Sequence, residues 1–251
     1  MPIANELTIN TSASAMDMAN AIFGNGITVT DASFEGALGV QSGIYSGATT
    51  TLAGMTNSDT GVILSTGNVQ DFTNSSGSTD TNVNTGTGMD VTGGIDGDAG
   101  LNSIAGVSTF DGAILNATFI PDGDMLTMSF VFSSEEYPEY VNGGVNDAFG
   151  VWVNGTFVPV TITVAGNVSI DSVNGRVNEN LYRDNTADQF NTEMDGFTYV
   201  LSITAPVNSG VENTIRIGIA DGGDQIYDSN LLIMGESAQT YALAIDDDIN
   251  I

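Results

Sequence analysis

The sequence predicts an all-β fold, a β-sandwich or jelly-roll-like arrangement with one short N-terminal helix and long loops. Three observations carry this. Apolar and polar residues alternate along several stretches, "LTMSFVFSSE" and "NTIRIGIAD" among them, which is the pattern of a strand with one buried face. Those stretches are short and separated by Gly, Asn and Asp, the residues that turn a chain. In "GVWVNGTFVPV", Asn154-Gly155 stands between two apolar runs, the strongest short-range hairpin signal. With 251 residues, 41 % of them hydrophobic, the chain can bury a substantial core and is not a disordered acidic tail.

The elements follow in order. Ala15, Met18, Ala19, Ile22 and Phe23 recur at helical spacing, with Ser14 or Ser12 placed to cap them and Gly24 to stop them. One helix is expected there, packed on a sheet. Strands are then expected in "GITVTDASFEG", "TGVILSTG", "GAILNATFI", "LTMSFVFSSE", "PVTITVAG", "NVSIDSV", "TYVLSITAP", "NTIRIGIAD" and "SNLLIMGES". In "LTMSFVFSSE" Leu126, Met128, Phe130 and Phe132 take one face and Thr127, Ser129 and Ser133 the other, with Val131 out of step. In "NTIRIGIAD" Ile215, Ile217 and Ile219 point inward and Arg216 outward. Residues 71–100 are polar and rich in Gly and Thr. They read as a long surface loop, either simply solvated or partly ordered by a metal at Asp96 and Asp98. There is no internal repeat. The expected division is an N-terminal extension over 1–12, one β-domain over 13–236, and a C-terminal strand with an acidic tail over 237–251.

The charge balance excludes whole classes of function. The chain has 31 Asp and Glu against three cations, Arg176, Arg183 and Arg216, for a net charge of −28. Self-repulsion on this scale opposes compaction unless cations bind or screen it. Nothing basic is available for nucleic acid or for anionic lipid. Without Cys, disulfides and thiolate metal sites are excluded; without His, the commonest general base and the usual zinc ligand are missing. Without Lys there is neither Schiff-base chemistry nor a Lys–Asn cross-link. An enzyme is therefore not expected. Oxygen ligands remain, and they suit Ca²⁺ or Mg²⁺. The first residues carry no basic region followed by an apolar run, so no classical N-terminal signal peptide is expected. No apolar stretch reaches the roughly 18 residues of a membrane span. The abundance of Asp, Asn, Thr and Gly nevertheless reads as extracellular.

Three acidic clusters could hold a cation. The first is Glu135, Glu136, Glu139, Asn142, Asn146 and Asp147 in "SSEEYPEYVNGGVNDAFGVW". The second is Asp221, Asp224 and Asp228 in "ADGGDQIYDSN", directly after an alternating strand. The third, Asp122 and Asp124 in "IPDGDM", is better read as a hairpin turn. Solvated turns would also account for the first two. Against that reading, nothing else in the chain could pair so many carboxylates, and loops at strand ends supply Ca²⁺ with oxygens from carboxylates, amides and carbonyls together. The metal candidates are Glu135, Glu136, Asp147, Asp221, Asp224 and Asp228.

The stretches "GVILSTG", "VFSSEEYPEYVNGGVNDAFGVWVNG", "MDGFT" and "IGIADGGDQIYDSNLL" resemble the choice-of-anchor L domain of bacterial surface and secreted proteins, over roughly Met16 to Gly235. The resemblance implies an extracellular β-rich domain with cations at the acidic blocks. Such domains are usually joined to a surface anchor or sorting tail. The sequence shows no sortase motif and no hydrophobic tail, which favours self-assembly over simple anchoring.

Three functions are weighed, the third a glycoside hydrolase. The first is a Ca²⁺-stabilised subunit that polymerises into a surface filament or matrix by strand exchange. Its assembly residues would be Ile3, Leu7 and Ile9 in the N-terminal segment. Each flank could equally be an edge strand of its own domain. The second is a Ca²⁺-dependent module that binds surface glycans, with Trp152, the only Trp, as aromatic platform or as core. Adjacent strand residues point to opposite faces, which disfavours Glu135 and Glu136 as a glycosidase pair.

Overall fold

The computed structural model describes residues 5–73, 90–160 and 166–242. In chain order the elements begin with β1 (Thr8–Asn10), α1 (Ala15–Ile22), β2 (Ile27–Glu35), β3 (Ser42–Ser46), α2 (Ala48–Thr51) and β4 (Thr60–Ser65). They continue with α3 (Ala99–Ala105), β5 (Thr109–Pro121), β6 (Met125–Ser134), β7 (Ala148–Val153), β8 (Thr156–Phe157) and β9 (Val168–Ser169). The last are β10 (Tyr182–Asp184), β11 (Gly196–Thr198), β12 (Leu201–Pro206), β13 (Asn213–Gly222), β14 (Ser229–Met234) and β15 (Gln239–Tyr241). None of the described helices is long and apolar enough to cross a membrane.

The strands form two antiparallel sheets, as an all-β sandwich requires. The nine-stranded sheet runs β1-β3-β4-β14-β6-β11-β10, with β12 and β15 also on β6. The six-stranded sheet runs β2-β5-β13-β7-β8, with β9 on β7. The main core lies between them. Phe130 and Phe132 of the first sheet meet Phe149 of the second at ring-centroid distances of 4.6 and 5.9 Å, and Ile215, Ile217 and Ile219 bury into the same core. Helix α1 forms as read: Ser14 caps it in a reciprocal box with Asp17, and Met18, Ala19 and Ile22 face the core.

The out-of-step Val131 has a physical reason. The nine-stranded sheet is covered on both faces. Leu126, Met128, Phe130 and Phe132 face the main core, while Val131 joins a second cluster with Leu7, Tyr45, Leu52, Ile63, Phe72, Phe197 and Leu232 on the outer face. The predicted hairpin joins β7 to β8, with Asn154 and Gly155 both at positive φ, 50° and 76°.

Other expectations are modified. α3 occupies the end of the stretch read as a long loop; Asp98 caps it, accepting from the amides of Gly100 and Leu101. Its Leu101 covers part of the outer face of the six-stranded sheet over Ile114, Ala220 and Trp152. "NVSIDSV" contributes only the two residues of β9. β3, β10 and β11 were not anticipated. Most of "PVTITVAG", Ile3 and the tail from 243 onward lie outside the described residues.

Candidate metal centre

Four central strands end at one pole of the sandwich, and each ends at an acid. β6 stops at Ser134, before Glu135 and Glu136, and β14 begins at Ser229, after Asp228. These strands are neighbours, with Ser229 opposite Ser134 and the Glu135 amide donating to the Asp228 carbonyl at 3.2 Å. In the facing sheet β7 begins at Ala148, after Asp147, and β13 carries Asp221 next to its last residue; Ala220 lies opposite Ala148. The sandwich therefore brings Glu135, Glu136, Asp147, Asp221 and Asp228 to one end, and all five are buried. Adjacent Glu135 and Glu136 both bury because they lie beyond the strand, where its alternation no longer applies.

Asp147 spans the two sheets. One of its oxygens accepts from the Gly222 amide at 2.9 Å, the other from the Ser229 hydroxyl at 2.7 Å. Asp221 lies 1 % exposed; no donor meets either of its oxygens at good hydrogen-bond geometry, although the Thr66 hydroxyl and the Asp147 carboxyl lie close enough to interact with it. Burial raises its pKa well above the carboxylate range; the charges of Asp147 and Asp228 push it further, and the Thr66 hydroxyl eases it only in part. Asp147 is also raised, again first by burial, against the two hydrogen bonds it accepts. Glu136 is pushed up to about 9 by burial and by the charges of Asp147 and Asp224, and its Oε2 has no partner. Asp228 packs against Gly67 so closely that a side chain at 67 would collide with its carboxylate.

The remaining candidates divide. Asp224 is partly exposed at the rim, accepting from the Ile226 amide at 3.1 Å while facing Glu136 and Asp147. Glu139 and Asn142 are exposed. Asn146 is buried but committed to the fold: its amide group donates to the Ala105 carbonyl at 2.8 Å and its oxygen accepts from the Asp171 amide at 3.1 Å. Asp122 and Asp124 are exposed in the β5–β6 turn. Tyr140 of one acidic loop and Tyr227 of the other pack their rings 5.2 Å apart.

No cationic side chain bears on Glu136, Asp147 or Asp221. Arg216 pairs with Asp98 at 2.6 Å on the outer face of the other sheet. Arg183 lies over Tyr199 at 4.3 Å and donates to the Gly54 carbonyl. Among the described residues no three acidic side chains form a ready-made ligand set. The donor set nonetheless fits a hard cation: oxygen only, buried, mutually repelling, with unsatisfied atoms on Asp221 and Glu136. Sequence reasoning missed three further buried acids, Asp111, Glu193 and Asp195, of which Asp111 also bears on Asp221.

Neither the curated proteins nor the solved structures contain a match to the chain. The family model of the Choice-of-anchor L domain matches residues 7–239. That span takes in every strand from β1 to β14 and all the acids gathered at the pole, and the chain therefore belongs to this family of bacterial surface-associated proteins.

Proposed function

We propose that the chain is a non-catalytic, extracellular structural domain whose fold is completed by Ca²⁺ at the pole of the sandwich. The observation that carries this reading is the group of buried carboxylates between the sheets, with neither Asp221 oxygen met by a donor at good hydrogen-bond geometry. An isolated buried charge is costly enough that a protein either neutralises it or pairs it. Asp147, Asp221, Asp228 and Glu136 would hold the ion, with Glu135 beside them and Asp224 at the rim. Bound there, Ca²⁺ neutralises the cluster and ties the ends of β6 and β14 to those of β7 and β13. Tyr140 and Tyr227 supply the readout: Tb³⁺, a Ca²⁺ stand-in, should luminesce on tyrosine excitation, and Ca²⁺ should compete it away. Absence of sensitised luminescence together with a melting midpoint unmoved by chelator would overturn the reading.

The same reading takes the domain as a subunit of a surface filament or matrix, joined by strand exchange through its N-terminal segment. What supports it is the seating of that segment. β1 is only three residues long, at the edge of the nine-stranded sheet, and pairs with β3 in the register Thr8–Ser46, Ile9–Tyr45, Asn10–Ile44. Leu7 inserts into the second cluster, and its amide donates to the Thr73 hydroxyl at 2.9 Å. A neighbouring copy's segment could occupy the same place with the same bonds.

A second reading, Ca²⁺-dependent glycan binding, is favoured by a groove of ≈ 410 Å³ on the outer face of the six-stranded sheet. Half-buried Trp152 lines it with Arg216, Asp98, Asn116 and Asp31. The Arg216 guanidinium lies over the indole at 4.6 Å, so a sugar would have to share that ring. A glycan array separates the two readings, and electron microscopy of the purified protein tests the filament.

A further inference from the structure

Asp111 is a buried acid that the polar site does not use. β5 carries one residue more than β13 where the pairing passes from Ala113–Ile219 to Phe110–Asp221, so Asp111 and Gly112 bulge opposite Ala220. Asp111 sits there at φ 48°, only 1 % exposed. Its carbonyl accepts from the Gln41 side chain at 2.7 Å and its amide donates to Asp96 at 3.3 Å.

The carboxylate faces the loop 90–97. Its Oδ1 accepts from the Val91 amide at 3.1 Å, and a Cβ on Gly94 would lie 2.8 Å from the same oxygen. The loop is fixed over it by paired main-chain bonds between Ile95 and Gly112, at 2.9 and 3.0 Å, and by the Gly97 amide on the Thr109 carbonyl at 2.7 Å. Its Oδ2 is buried and has no partner. The charged groups that bear on this carboxylate are all acids: Asp90 and Asp96, and Asp221 of the polar site. A buried acceptor oxygen with no donor, beside further acids of the facing loop, is the environment a bound cation would neutralise.

We infer that Asp111 and Asp96, with Asp90 at the rim and main-chain oxygens of the 90–97 loop, form a second site for a hard divalent cation of the Ca²⁺ class. It is distinct from the site at Asp147, Asp221, Asp228 and Glu136. The carboxylates supply charge, while carbonyls and water complete the six to eight oxygens Ca²⁺ takes. The ion would pin the loop onto the bulge of β5, and because Asp111 bears on Asp221 it would also ease the repulsion at the polar site.

Native mass spectrometry and calorimetry on the full chain, titrated with CaCl₂, decide it. Asp111→Asn and Asp96→Asn should each lose one Ca²⁺ or weaken one binding step at least tenfold. Asp221→Asn should affect a different step, and Asp111→Asn/Asp221→Asn should lose both. Wild-type stoichiometry and affinity in both Asp111→Asn and Asp96→Asn would overturn the second site. So would loss of the same single step in Asp96→Asn and Asp221→Asn. If circular dichroism shows that Asp111→Asn does not fold, exposed Asp96 decides alone. Asp221→Asn retaining every ion while Asp96→Asn loses one would sink the polar site and support this one.

Discussion

Ionised, Asp221 is a buried charge facing two others, Asp147 and Asp228, eased only in part by the Thr66 hydroxyl. Its contribution therefore changes sign with the ion. In chelator, Asp221→Asn removes a repulsive group of nearly the same volume, and the melting midpoint should rise. In Ca²⁺ the same substitution removes a ligand, and the variant should lose the stabilisation the ion gives. That stabilisation is about 2.7 kcal/mol at a hundredfold excess over Kd, or roughly 5–10 °C for a chain of this size. Paired melts with and without chelator check both halves. A variant destabilised equally in the two conditions would mean that Asp221 is a packing residue rather than a ligand. Asp147 makes a useful contrast, because both its oxygens already hold the sheets together through Gly222 and Ser229. Loss of Asp147 should lower the midpoint in either condition.

Among the elements, alternation or an unbroken apolar run made a strand legible: β4 and β14, buried on both faces, were read from such runs. β6 and β13 alternate because one face of each meets the main core. β3, "SGIYS", shows neither pattern, because its buried positions include Ser42 and Gly43 as well as Tyr45, so its apolar signal is only two residues long. α3 was hidden because "AGLNSIA" is short and weakly apolar, so its Asp98 cap, and not its pattern, marks its start. The acids at the pole could be read because each follows or precedes a strand. Asp111 could not, because an Asp-Gly pair in "TFDGAIL" looks like a turn and only the bulge in β5 shows that the strand continues through it. At this scale β1 is the element to test. Deleting residues 2–10 removes Leu7 from the second cluster, where loss of a buried Leu side chain costs about 2–5 kcal/mol. The remaining strands keep the main core, so the truncated protein should fold, melt lower and remain monomeric. Circular dichroism and electron microscopy read these outcomes. Filaments of unchanged diameter from the truncated protein would exclude β1 as the exchanged strand.

For the molecule as a whole, a net charge of −28 and a group of buried acids act in the same direction. Burial raises the pKa of Asp221, Asp147, Glu136 and Asp111, the last to about 6 and Glu136 to about 9. In the unfolded chain these groups titrate near the ordinary carboxylate value of about 4. Between about pH 4 and 9 the folded, ion-free protein therefore holds protons that the unfolded chain has shed. Stability falls with rising pH wherever the folded state binds more protons. The contribution is fully present below the unfolded value and is lost as pH climbs through the folded ones. Each additional proton held changes stability by about 1.4 kcal/mol per pH unit. Chelated protein at fixed ionic strength should accordingly melt higher at pH 5.5 than at pH 8. Saturating Ca²⁺ should reverse the trend, because the ion binds the ionised carboxylates and protons compete with it. Two series of thermal melts across this range, one in chelator and one in Ca²⁺, test the linkage. A chelated midpoint that rises from pH 5.5 to 8 would show that the buried acids are already neutralised by something other than protons or a removable cation.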